Sequence, residues 1–221
     1  MRVSDLKVCF LGDELVGKTS IARRYSHTNM QPHVYTATTG LDVYHRILGK
    51  VTVSLFDVSG RISTKLSKYL HQAHMIILVY DVSCYASFRS LETWMQRIRQ
   101  VYFHVDHDAR YLPGAIQELD FRSRLPLIAV FGNKTDLVST PAVPHSELMD
   151  FAKDVGPVFF CSALTGSGIG GSFDALLAKF ISLEENKGKN LKHLRDKRMN
   201  EAQDIHGEDE FEDEDAKCVI Q

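Results

Sequence analysis

Between the apolar run LKVCFL (6–11) and the helix-like KTSIARRYS lies GDELVGKT, residues 12–19. A G-x-x-x-x-G-K-T pattern in that position limits what the chain can fold into more than any other stretch. Its glycines let successive backbone N–H groups curl around a phosphate, and the following helix directs its partial positive charge at the same point. Lys18 has the length to reach outer phosphates, and the Thr19 hydroxyl suits Mg²⁺. An ordinary glycine-containing turn between strand and helix is the competing reading. Strand, phosphate loop and helix in that order form a unit of α/β architecture, so further parallel strands are expected downstream.

The rest of the chain supplies them. VYHRIL and VTVSLFDV flank Gly49-Lys50 as a hairpin. MIILVYD (75–81) is apolar throughout, as strands buried on both faces are. Residues 86–103 carry Phe88, Leu91, Trp94, Met95, Ile98 and Val101 at helical spacing. LPLIAVFGN predicts a strand, SELMDFAKDV a helix, VFFCSA a strand and SFDALLAKFISLEE a closing helix. The expected fold is a six-stranded, mostly parallel α/β sheet with one antiparallel edge strand and helices on both faces. Residues 1–184 form the expected domain, and 185–221 a polar tail with a basic and then an acidic run. Residues 104–124 exceed what a helix-to-strand connection needs and are compatible with a loop, a short helix or a disordered lid. His104, Asp106, His107 and Asp108 within them form a candidate metal cluster whose alternative is a solvated loop.

A net charge of −2 argues against nucleic-acid binding by bulk positive charge. No apolar run approaches the roughly 18 residues of a membrane span, and the N-terminal apolar run is too short for a secretory signal. Cys9 and Cys161 sit in apolar runs and read as reduced core residues in a cytosolic protein.

Three further loops bear chemistry. In DVSGR (57–61), Asp57 ends a strand with a carboxylate, Gly60 permits close backbone approach, and Arg61 adds a permanent charge. NKTD (133–136) ends another strand, where the Asp136 carboxylate can accept two N–H bonds from the N1 and N2 edge of guanine. SAL (162–164) follows the next strand and offers a backbone amide to the base carbonyl. All of these lie where open α/β sheets bind ligands, at the carboxyl ends of strands.

In GDELVGKT, DVSG, NKTD and CSAL the chain resembles the Ras superfamily of small GTPases, from residue 6 to about 184. The resemblance implies GTP/GDP and Mg²⁺ as cofactors. It implies that Gly12, Asp13, Glu14, Leu15, Val16, Gly17, Lys18, Thr19 and Ser20 surround the phosphates. Asn133, Lys134, Asp136 and Leu137, with Ser162, Ala163 and Leu164, would surround the base. QPHVYTATTG (31–40) is similar to the first switch of the Rho and Rab branches. Tyr35 would then close over the phosphates, and Thr38, with Thr36 or Thr39 as alternatives, would hold Mg²⁺ and the third phosphate. Asp57 would hold Mg²⁺ through a water, and the Gly60 amide would meet the third phosphate, so that both loops sense its presence. Effector proteins and exchange and activating factors are the implied partners of a monomer. A P-loop ATPase or kinase is the reading disfavoured by NKTD.

Three departures stand out. Arg61 replaces the glutamine that orients the attacking water; with five donors and no acceptor it cannot take that water's hydrogen bonds, although it can pair with the third phosphate. Glu14 and Leu15 occupy positions that are often small, and a carboxylate at Glu14 is expected to crowd and repel the catalytic region. Gln31 stands where an aromatic ring usually meets the guanine. Slow intrinsic hydrolysis is therefore expected, with a permanently GTP-bound docking module as the alternative function. The terminal CVIQ matches C-a-a-X and predicts farnesylation of Cys218. One lipid, a basic run at 187–198 and a repelled acidic run at 208–215 predict reversible attachment to the cytoplasmic face of a membrane, with a cytosolic fraction.

Overall fold

The computed structural model describes residues 5–27, 40–61, 66–103 and 125–186. Six strands form one sheet in the order β2-β3-β1-β4-β5-β6. They are β1 (Asp5–Leu11), β2 (Leu41–Leu48), β3 (Val51–Val58), β4 (Met75–Asp81), β5 (Leu127–Asn133) and β6 (Val158–Phe160). Strand β2 runs antiparallel to β3, closing the hairpin through Gly49 and Lys50, and every other pairing is parallel. The expected sheet, with its single antiparallel edge, is the one observed.

The helices are α1 (Lys18–Ser26), α2 (Leu66–Leu70), α3 (Tyr85–Tyr102), α4 (His145–Val155) and α5 (169–186). Strand β4 lies at the centre and all seven of its residues are buried, which is why its sequence lacks polar alternation. Side chains on neighbouring strands alternate between two cores. Cys9, Leu11, Ile128 and Val130 face a core shared with Leu70 of α2, Leu91, Trp94 and Ile98 of α3, and Leu148 of α4. On the other side Phe10 and Phe131 meet Phe173 of α5, which stacks on Tyr25 of α1 with ring centroids 3.7 Å apart. Burying the large aromatic surfaces of Tyr25 and Phe173 anchors the helix that starts from the phosphate loop.

Residues 2–177 make up one compact unit; of the second unit, which begins at Ala178, the described part is the helical stretch 178–186. Two details differ from expectation. Strand β6 ends at Phe160 rather than running through Ala163, because the Ser162 N–H bonds the Ser167 carbonyl at 3.0 Å instead of a sheet partner. Helix α2 was not expected; it is a single turn held by Leu66 and Leu70, too short to show periodicity. Among the described residues no helix is long and apolar enough to cross a membrane. The 104–124 segment, its His/Asp cluster and the terminal tail lie outside the described residues.

Candidate functional site

Because β1, β3, β4, β5 and β6 are parallel, their carboxyl ends share one edge of the sheet. Phe10 of β1 pairs with Asp57 of β3, and Asp81 of β4 pairs with Asn133 of β5. The four motif loops therefore emerge side by side.

At the phosphate loop, Gly17 has φ +96°, and a Cβ there would lie 2.2 Å from the Asn133 side-chain nitrogen. Glycine is required both for the left-handed backbone and for the close approach. Helix α1 starts at the next residue, with Gly17 O accepting from Ile21 N at 3.0 Å. Lys18 is buried; its ammonium donates to the carbonyls of Gly12 (2.9 Å) and Asp13 (2.7 Å), straddling the loop. Burial pushes its pKa down, while the charges of Asp57, Asp13 and Glu14 oppose that shift. Leu15 adopts φ +66°, a conformation that branched side chains rarely take, and its side chain is mostly exposed. The small residues usual at such a position are explained by that backbone.

Asp57 is fully buried at the end of β3, and the Thr19 hydroxyl donates to its carboxylate. A hydroxyl that gives its proton to Asp57 keeps its lone pairs for a cation, and both groups are hard oxygen donors that suit Mg²⁺. Among the described residues there is no cluster of three His, Cys, Asp or Glu fit to hold a metal.

On the base side, buried Asn133 is a brace. Its nitrogen donates to Val16 O (2.8 Å) and its oxygen accepts from Ala163 N (3.0 Å), tying the phosphate loop to the SAL loop. Lys134, at φ +67°, turns its ammonium onto Asp81 at 2.7 Å. Burial pushes the Asp81 carboxyl up, but hydrogen bonds from Lys134 and Ser83 and the Lys134 charge outweigh it and hold the pKa below its ordinary value. Ser162 donates its hydroxyl to Asp136, orienting the carboxylate. Leu137 and Leu164 are exposed beside it. Val16 is buried, and Ser20 follows Thr19 on α1.

On the phosphate side, Arg61 forms an ion pair with Glu14. The expected repulsion from Glu14 thus meets an internal counter-charge. Gly60 lies directly over the loop, since a Cβ there would come within 2.7 Å of Glu14 N.

Sequence reasoning missed Trp94, whose indole donates to the Asp13 carboxylate at 3.0 Å, and Arg24, which donates to the carbonyls of Ala163 (3.2 Å) and Leu164. It also missed Asp81, although an acid closing an apolar strand repeats the pattern of Asp57. Trp94 read as a core residue because it lies on the apolar stripe of α3. Tyr35, Thr38 and Cys218 lie outside the described residues.

The family model described as Ras family matches residues 7–182. Ras-related protein Rab-18 of Lymnaea stagnalis is 29% identical over 199 residues, covering 86% of this chain and 88% of its own length. Ras-related protein Rab-26 of Bos taurus is 28% identical over 177 residues, which are 77% of this chain but only 61% of the relative. DnaJ homolog subfamily C member 27-A of Xenopus laevis is 29% identical over 191 residues, or 83% of this chain and 64% of its own length. The chain thus spans less than two thirds of some of its relatives. With most of its length inside the family match, the chain belongs to the Ras family of small GTPases.

Proposed function

We propose that this chain is a GTP-dependent molecular switch with slow intrinsic hydrolysis, acting at the cytoplasmic face of a membrane and binding effectors according to the nucleotide it holds. The observation that carries this is the convergence of Lys18, the Thr19–Asp57 pair and the Asp136–Ser162 pair on one edge of the sheet.

In this reading the loop amides and Lys18 neutralise the outer phosphates, and Lys18 is already oriented by two carbonyls. Thr19 and Asp57, with Thr38 by family likeness, would hold Mg²⁺, which when bound offsets charge on the phosphate oxygens. Asp136, oriented by Ser162, accepts from the guanine edge, and the Ala163 amide borders the base carbonyl. The Gly60 amide and Arg61 face the third phosphate, and Tyr35 closes over it. Arg61 cannot accept from an attacking water, so hydrolysis lacks the group that would orient it. Exchange and activating factors would then set the timing.

A second reading, a docking module that stays GTP-bound, is favoured by the Glu14–Arg61 pair, because the two replaced positions meet in one ion pair beside the phosphate loop. The nucleotide content of the purified full chain, followed over time with Mg²⁺, separates the two: GDP accumulates in a switch and GTP persists in a docking module. Adenine nucleotide, or none, would overturn both. For the membrane, Cys218→Ser is expected to shift the chain to the soluble fraction, since a prenyl chain contributes about 0.8 kcal/mol per buried CH₂. Equal membrane fractions of variant and parent would remove the anchor.

A further inference from the structure

The phosphate loop carries two neighbouring acids, Asp13 and Glu14, where a nucleotide would bring several negative charges. Each is held from outside the loop, but by different chemistry. Asp13 is bonded by the neutral indole of Trp94, a residue of the rigid α3 core. Glu14 is paired with the cation of Arg61, which lies beyond Gly60 on the segment that follows β3. The backbone of Gly60 already rests against the peptide between Asp13 and Glu14; a Cβ on Gly60 would approach Glu14 N to 2.7 Å and the Asp13 carbonyl carbon to 2.9 Å. A negative group and a glycine backbone are thus already engaged with Arg61 and the loop, as a third phosphate would engage them.

We propose that the Glu14 carboxylate is a built-in competitor of the third phosphate for Arg61, so that a triphosphate must take over the arginine while a diphosphate leaves the pair intact. This rests on the guanine-nucleotide reading above and adds to it a determinant of diphosphate against triphosphate preference. Glu14 takes the Nε side of the Arg61 guanidinium, so a phosphate that needs that same side must displace the carboxylate. When Glu14 loses Arg61, its charge stands beside the incoming phosphate uncompensated. The pair holds the start of the post-β3 segment against the loop in the diphosphate state, and the triphosphate replaces that contact instead of creating it. The side chains are 34% exposed for Glu14 and 75% for Arg61, so solvent screens the competition and its effect is moderate and salt-dependent.

The test measures affinities for GDP and for a non-hydrolysable GTP analogue, with Mg²⁺, on the full chain and on Glu14→Gln, Arg61→Gln and the double variant. Glu14→Gln is expected to raise the triphosphate-to-diphosphate affinity ratio roughly fivefold at low salt, falling toward parity above about 0.5 M salt. Arg61→Gln is expected to change that ratio little in the parent, where Arg61 is already engaged. In the Glu14→Gln background the same change is expected to lower the ratio by roughly the same fivefold, because only there is the arginine free to serve the phosphate. Equal effects of Arg61→Gln in both backgrounds, or no change in ratio on Glu14→Gln, would overturn the competition. If the parent binds both nucleotides but the ratios do not move, only this proposal fails. If the parent binds neither, the nucleotide reading fails with it.

Discussion

Two ends of one sheet edge are each closed by an ion pair, and the two pairs behave differently. At the base end Lys134 meets Asp81 at 2.7 Å with side chains only 29% and 12% exposed. At the third-phosphate end Arg61 meets Glu14 with side chains 75% and 34% exposed. The first pair is set in a lattice of loop bonds: Asn133 to Val16 and Ala163, Ser162 to Asp136, Arg24 to Ala163. The second joins the phosphate loop to the segment that follows β3 through side chains that face solvent more. Where the task is to present a fixed edge to a base, partly desolvated groups lock one geometry. Where a loop must exchange partners, a solvated pair of modest strength is the better device, since it can be given up. Of the departures from family pattern, Arg61, Glu14 and Leu15 lie at the second end, while Gln31, which by family likeness belongs to the base, lies outside the described residues.

The largest expected effect breaks the comparison at the base end. Two hydrogen bonds to a charged acceptor are worth about 1.5–3 kcal/mol each. Asp136→Asn is therefore expected to weaken GTP binding by roughly a hundredfold or more and to admit xanthine nucleotides, whose carbonyl can accept from the new amide. Direct titration with both nucleotides checks this, and an unchanged guanine preference would remove Asp136 as the reader of the base.

At the other end, Arg61→Gln is expected to raise single-turnover GTP hydrolysis by about tenfold, equivalent to 1.36 kcal/mol of barrier. The gain should grow when Glu14→Gly is added, because both side chains occupy one small space. An unchanged rate with saturating Mg²⁺ would move the slow step elsewhere. Within the same loop, Leu15→Gly is expected to raise stability by about 1 kcal/mol, since the left-handed backbone costs roughly that for a residue with a Cβ. Denaturant unfolding of the nucleotide-free chain would register it as a shift in midpoint.

The smallest effect tests the base-end ion pair by pH. Asp81 has its carboxyl held below the ordinary 3.8, so the stability it contributes is complete above that value. It is lost as the pH falls through the lowered folded-state pKa. Lys134→Met should flatten that acid limb. An acid limb that Lys134→Met does not alter would mean the pair does not stabilise Asp81.

Much of this molecule was readable in advance from local patterns. The apolar run of β4, the Gly49-Lys50 hairpin and the apolar stripe of α3 are local features whose periods or turn residues dictate their structure. The phosphate loop was legible because its function demands glycine at set spacing, and Gly17 indeed has both a left-handed φ and a neighbour 2.2 Å from its missing Cβ. What local pattern could not supply were contacts between residues far apart in the chain. Trp94 meets Asp13 across 81 positions and Arg24 meets the carbonyls at 163 and 164 across some 140; neither residue type announces its partner. The same holds for the Glu14 side chain. As a residue in a loop it read as a repulsive charge, and only packing of Gly60 against that loop brought Arg61 to it as a counter-ion. The sequence alone determined which chemical groups end the strands, because strand ends and loop chemistry are carried by local pattern, whereas the strand order came from the structure. Which of those groups neutralise one another depends on distances of a few ångströms between separate elements, and only the tertiary structure decides those.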